Sequence, residues 1–233
     1  MTKLVKFLAN LGYGTRREVT ALVKQGVVTR RDGSIVRDGE TVDHSDLLVR
    51  GSPLDPPLGA LIMLHKPTGF VCSAKDTSRL IYELLPPRFL ARSPIMAPIG
   101  RLDRETSGLL LLTDDGRINH RLASPRTHLP KVYDAELASD LRGDEGARFE
   151  SGTLLLIGET DPLLPATLEV VGARSARVTL TEGRYHQVRR MFAAVGNHVM
   201  ALHRRSIGSQ ELGSLEAGQW RELSPGEVAM LLP

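Results

Sequence analysis

Apolar residues follow two kinds of spacing along this chain. Near the start the spacing is helical: Leu4, Phe7, Leu8 and Leu11 stand at i, i+3, i+4 and i+7, and Gly12 ends the run. Thr15-Arg-Arg-Glu18 has the form of a capping box, so a second helix is predicted from there. Its apolar stripe is Val19, Leu22 and Val23, and Gly26 is its stop. Val27–Thr29 reads as a short strand, and turns follow at Asp32-Gly33 and Asp38-Gly39. Gly51–Ala60 then holds three prolines and two glycines and is predicted to be a linker. The chain divides into a small unit, residues 1–51, a linker, 52–60, and a large unit, 61–233.

The large unit is mostly strand. Leu61–Leu64 is a short apolar strand ended by Lys66-Pro67 and Gly69. Leu109–Thr113 begins with four leucines, which predicts a strand buried on both faces. Val132–Leu137, Thr153–Ile157, Thr167–Val171 and Ala176–Leu180 are further strand candidates; Ser78–Leu85, Ile118–Ala123 and His186–Val195 are helix candidates. Many strands with few interspersed helices predict an α+β fold on a mixed or antiparallel sheet. No βαβ alternation, GxGxxG or P-loop pattern occurs.

Composition narrows the class. With 233 residues, 41% hydrophobic and 24% charged, the chain suits a globular protein with a full core. The single Cys72 excludes an internal disulfide and argues against a cysteine metal cluster, so a reducing, cytoplasmic setting is expected. No apolar run is long enough to span a membrane, and Lys3, Lys6 and Asn10 interrupt any signal-peptide core. The net charge of +3 hides two clusters. Residues 1–31 carry Lys3, Lys6, Arg16, Arg17, Lys24, Arg30 and Arg31 against Glu18 alone; Arg184, Arg189, Arg190, Arg204 and Arg205 interleave with His186, His198 and His203. Such clustering points to a polyanion, usually nucleic acid, with a solvated basic face as the plain alternative. Arg16 and Arg17 sit in a first helical turn, where the dipole disfavours cations unless a phosphate shares that end.

Two segments carry candidate chemistry. Gly100-Arg-Leu-Asp-Arg-Glu-Thr-Ser-Gly108 precedes the leucine strand. Asp103, flanked by Arg101 and Arg104, is expected to stay ionised, its pKa lowered by about 1–3 units per close cation. That suits a nucleophile or general base; on composition alone a turn cap is the simpler reading. Glu182-Gly-Arg-Tyr-His-Gln-Val-Arg-Arg-Met-Phe192 forms the second segment. Val188, Phe192 and Val195 make a core stripe, Arg189 projects from the helix flank, and His186-Gln187 at the helix start suits a phosphate or base edge. A solvated arginine pair is again the simpler reading.

Taken together, the segments resemble a known family. Gly100–Gly116 resembles the catalytic motif of the pseudouridine synthases, Glu182–Phe192 a later motif of that superfamily, Lys131-Val-Tyr133 its Lys-x-Tyr motif, and Lys66-Pro67-x-Gly69 its Asn-Lys-Pro-x-Gly motif with His65 for the Asn. The small unit resembles an S4-type RNA-binding domain. Gly69-Phe-Val-Cys-Ser73, Ser124-Pro-Arg-x-His128 and Met191–His198 resemble the RsuA branch, which modifies small-subunit ribosomal RNA; Ser206 stands where that branch commonly has Arg. The resemblance implies isomerisation of a uridine flipped out of 16S RNA, without metal or organic cofactor. It makes Asp103 the essential carboxylate, Tyr133 the stacking residue, Arg189 the ion-pair partner of Asp103, and Arg101 an aid to base flipping. RNA contacts are expected from Lys3, Arg16, Arg17, Lys24, His186, Gln187, Arg190 and Arg204. The implied partner of this cytoplasmic monomer is small-subunit RNA or a partly assembled small subunit, with no membrane. A synthase for large-subunit RNA is the near alternative, and a non-catalytic S4-type binder the distant one.

Overall fold

The computed structural model describes residues 4–40, 42–124 and 127–232. Lys3 and the Pro125-Arg126 portion of the Ser-Pro-Arg motif lie outside these residues.

The chain opens with α1 (Leu4–Asn10) and α2 (Arg16–Lys24). The capping box forms: the Thr15 hydroxyl accepts from the Glu18 amide, and the Glu18 carboxylate accepts from the Thr15 amide at 2.7 Å. A three-stranded antiparallel sheet follows, built of β1 (Val28–Arg30), β2 (Leu47–Val49) and β3 (Ser52–Pro53). β3 carries this sheet two residues past the predicted boundary at Gly51. Leu4, Leu8, Val19, Val23, Val28 and Leu47 close a core that belongs to this unit.

The large sheet is formed by β4 (Leu61–Lys66), β5 (Ala97–Ile99), β6 (Thr106–Thr113), β7 (Lys131–Leu137), β8 (Thr167–Gly172), β9 (Ser175–Leu180), β10 (Val199–Ile207), β11 (Gln210–Glu211) and β12 (Trp220–Glu222). Its main path runs β12-β4-β6-β10-β7-β9-β8, with β5 on β6 and β11 on β10. Only the β6–β10 pairing is parallel, so the predicted mixed sheet is present. Around it lie α3 (Arg88–Ala91), α4 (Gly116–Ala123), α5 (Glu145–Glu150), α6 (Gln187–Ala194) and α7 (Pro225–Leu231). The leucine run of β6 is wholly buried because alternate residues feed opposite faces: Leu110 and Leu112 join one core, Leu109 and Leu111 another.

Two predicted elements differ. Thr153–Ile157 is irregular, and Leu156 alone in it is buried. Its alternation mimics a strand, but the Ile157 carbonyl accepts from Arg190 and the Leu154 carbonyl from the Leu163 amide, so the backbone is satisfied without a sheet. Ser78–Leu85 yields only a 3-10 turn over Ile81–Leu84. Central β10 went unpredicted because His203, Arg204 and Arg205 break its apolar pattern.

The two units touch through the linker. Arg88 on α3 holds Asp55 with two hydrogen bonds of 2.5 and 3.0 Å and lies over the Tyr13 ring. The Tyr13 hydroxyl accepts from the Asp55 amide, and the Asn10 carbonyl accepts from the Ser93 amide at 2.9 Å. Gly12 (φ +88°) packs so closely that a β-carbon there would stand 2.3 Å from the Arg88 carbonyl oxygen.

Candidate active site

A pocket of about 350 Å³ opens on one face of the large sheet, between the loop before β6, the strands β7 and β10, and the segment before α6. Asp103, Arg101, Tyr133, His186, Gln187 and Arg204, six of the predicted site residues, line it.

The Asp103 loop is shaped from beneath by a lysine. Lys66, at the end of β4, is fully buried, and its Nζ donates to the carbonyls of Thr106 (2.7 Å), Asp103 (3.0 Å) and Pro67 (3.1 Å). Burial holds its pKa below the usual lysine value. These three carbonyls, with that of Arg104 at 3.5 Å, let a buried ammonium persist where one partner would not. This explains why the Lys-Pro motif accompanies the aspartate motif forty residues downstream. Gly108 has its own reason: at φ +115°, a β-carbon there would lie 2.3 Å from the Arg204 carbonyl oxygen, so only glycine lets β10 come this close to β6.

Asp103 has a different partner from the expected one. Its carboxylate pairs with the His186 Nε2 at 3.3 Å. Arg189 forms no ion pair with Asp103: it donates instead to the carbonyls of Val199 (2.9 Å) and Glu105 (3.3 Å), and so also holds the loop that carries Asp103. Arg101 and Arg104, both exposed, likewise form no ion pair with Asp103. His186 takes up a left-handed backbone conformation, φ 50° and ψ 32°, at the start of α6.

The pocket floor is cationic and unneutralised. Arg204 is 2% exposed; its Nε donates to the Leu109 carbonyl at 2.7 Å and its Nη1 to the Tyr133 hydroxyl at 3.4 Å. Its Nη2 has no hydrogen-bond partner, nor has the hydroxyl of nearby Thr106. Lys131 donates to the Leu129 carbonyl, and burial, then the Arg204 charge, lower its pKa. Neither cation has a carboxylate within ion-pair distance among the described residues. Tyr133 stands half-buried between two hydrophobic cores and beside the Arg204 guanidinium.

Other predicted contacts are placed elsewhere or are already engaged. Gln187 is buried; its amide nitrogen donates to Glu182 at 2.8 Å and its oxygen accepts from the Arg184 amide, so neither is free for RNA. Arg190 lies off the pocket, paired with Glu159 at 2.8 Å. The second basic cluster is no single patch: β10 sends Arg204 into the pocket, while His203 bonds Ser107 and Arg205 faces Asp134, both off the pocket. Arg16, Arg17 and Lys24 lie exposed on α2 and form no ion pair among the described residues, whereas Arg30 pairs with Glu40 and Asp46. Lys66 and Lys131, missed as site residues, were signalled only by the motifs that contain them. His65, in place of the motif's Asn, hydrogen-bonds the Leu215 carbonyl at 2.8 Å. Among the described residues no three His, Cys, Asp or Glu side chains converge as metal ligands do.

A family model for RNA pseudouridylate synthase matches residues 60–194, more than half the chain. The chain belongs to this family. Within the family it is RsuA-like over its whole length. It is 39% identical to ribosomal small subunit pseudouridine synthase A of Escherichia coli over 236 residues, covering 99% of this chain and 100% of that one. It is 37% identical over 237 residues to the uncharacterized RNA pseudouridine synthase YtzG of Bacillus subtilis, covering 98% of each. A crystal structure of a pseudouridylate synthase superposes with a TM-score of 0.70 at 37% identity, covering both chains completely. This pseudouridine synthase has the α+β fold predicted for its larger unit. Among its described residues no helix is long and apolar enough to cross a membrane.

Proposed function

We propose that this synthase converts one uridine of small-subunit (16S) ribosomal RNA to pseudouridine, in free RNA or a partly assembled small subunit, in the cytoplasm. The observation that carries the reading is the pocket itself: Asp103 at its edge, Tyr133 on its wall, and the buried, partly unbonded Arg204 in its floor. Full-length likeness to a small-subunit enzyme supports the choice of RNA.

In the reaction the N1–C1′ bond breaks, the uracil turns, C5 bonds to C1′, the C5 proton leaves and N1 gains one. A stacked base cannot reach the pocket, so the uridine flips out at a cost of a few kcal/mol. Tyr133 stacks on the uracil, and Arg101 at the mouth aids the flip. Asp103, poised by His186 and by a loop whose carbonyls Lys66 and Arg189 both hold, acts on the freed ribose or base. As N1 leaves C1′, negative charge grows on uracil; Arg204 and Lys131 meet it with fixed positive charge in a site where water no longer screens. The reaction balances without metal, oxidant or water.

Residues 1–51 serve as an S4-type RNA-binding unit in this reading. Arg16, Arg17 and Lys24, without carboxylate partners, grip phosphates and place the enzyme without reading sequence. Mapping pseudouridine in ribosomal RNA with and without this gene tests the whole: one 16S site should disappear. Loss of a 23S site instead would assign the enzyme to the large subunit.

A further inference from the structure

Tyr185 is the anomaly at the pocket mouth. Of the ten Phe, Tyr and Trp residues it alone is exposed, at 68%. Its ring stacks flat on His186, with centroids 3.8 Å apart and planes 18° from parallel, and His186 in turn pairs with Asp103.

The backbone that presents this ring is tightly held. On one side the Arg184 guanidinium bonds Glu182 and the carbonyls of Asp161 (2.8 Å) and Pro162 (2.6 Å). On the other, Arg190 donates to the Tyr185 carbonyl itself while holding Glu159. His186 is fixed in a left-handed conformation that non-glycine residues adopt only when their surroundings dictate it. An exposed aromatic on a mobile loop is unremarkable; an exposed aromatic locked flat by its neighbours is a prepared surface. Exposed Arg101 shares the same pocket lining, which adds positive charge near the ring.

We propose that Tyr185 is a stacking platform for an RNA base next to the target uridine, outside the pocket. The inference rests on the function proposed above. The wall residue Tyr133 lies in the pocket and suits the flipped uracil, whereas Tyr185, at the rim, faces what stays outside. When the uridine leaves its stack, a neighbouring base loses a stacking partner, and the tyrosine ring replaces it. The Tyr185–His186–Asp103 contacts thereby join recognition of the neighbouring base to the position of the catalytic carboxylate.

The test uses the full chain and a short 16S stem-loop containing the mapped uridine, with 2-aminopurine placed singly at the flanking positions. Wild type and Tyr185→Phe should quench fluorescence at one flanking position, and Tyr185→Ala should not. The Ala variant should raise KM about tenfold, the size of one base–aromatic stack, with a far smaller fall in kcat. An abasic residue at that position should erase the difference between wild type and the Ala variant. Equal quenching by wild type and the Ala variant, on RNA that wild type converts, overturns the platform alone. A fall in kcat with KM unchanged also overturns it, and assigns Tyr185 to holding His186 and Asp103. Failure of wild type to convert the uridine both in this RNA and in a partly assembled small subunit removes the underlying function and the platform with it.

Discussion

Arg16, Arg17 and Lys24 spread their charge on the outside of α2, whereas Lys66, Lys131 and Arg204 keep theirs inside the sheet. The outer set keeps its water and is suited to exchanging it for phosphate, at a cost in counterions that depends on salt. In the inner set Lys66 and Arg204 have given up their water already, and half-buried Lys131 part of it. Lys66 recovers this through backbone carbonyls; Arg204 and Lys131 recover only part of it and leave a positive floor. A third set, Arg184 and Arg190, is neutralised by Glu159 and Glu182. In the function proposed above, identical residue types thus hold three jobs, and the sequence lists them alike. Burial and partners separate affinity from chemistry from scaffolding.

Substitutions can break that comparison. Asp103→Asn should reduce turnover by about 10³-fold or more, with RNA affinity within a few-fold of wild type and an unchanged melting temperature. Substantial turnover by the purified variant would take the reaction away from this carboxylate. Arg204→Met fills similar space without charge and leaves the Leu109 carbonyl without its donor. Single-turnover rates should drop by about 10²-fold, on the scale of one lost electrostatic donor, while the salt slope of RNA binding stays the same. A flattened slope would mean that Arg204 is an ordinary phosphate contact.

The outer set should respond in the opposite sense. The Arg16→Ala, Arg17→Ala double variant should keep its melting temperature, lose affinity, and flatten the salt slope by about 0.7 for each contact to single-stranded RNA. Unchanged affinity with a lowered melting point would make these arginines structural. The smallest expected effect is a control far from both sets. Glu227 closes a capping box with Ser224 and accepts both Arg221 nitrogens, at 2.7 and 3.0 Å, which hold its pKa down at about 2. A carboxylate lowered in the folded state adds stability above its ordinary value, 4.5, and loses it as pH falls toward 2. Glu227→Gln should therefore cost about 1 kcal/mol at neutral pH, a difference from wild type that fades on acidification; denaturant unfolding at pH 7 and pH 2.5 measures it.

Local signals carried much of this architecture. Helical spacing, the Thr15–Glu18 box and the leucine run gave α1, α2 and β6 directly, because each is decided by near neighbours. What escaped depends on contacts distant in sequence. β10 looks too polar for a central strand until Arg204 is seen bonded to Leu109, ninety-five positions away. Thr153–Ile157 has the right alternation and no strand to join. In the site, motif order put Asp103 and Tyr133 together, but Arg204 was expected only as an RNA contact, and pairings within the pocket were illegible. Gln187 looked free and is bound to Glu182; Arg189 looked like the mate of Asp103, a place His186 holds.

The proline-rich segment was legible as a connector but not as to its stiffness. With Gly12 pressed on the Arg88 carbonyl and Asp55 clasped by Arg88, it is a seam, not a hinge. In the function proposed above, the exposed arginines and the pocket are accordingly two jaws of one calliper, joined by that seam. An RNA that engages both must present its phosphates and its uridine at one set spacing, so a change as small as a methyl group at Gly12 would alter which uridines fit the gauge before it altered any group that touches them.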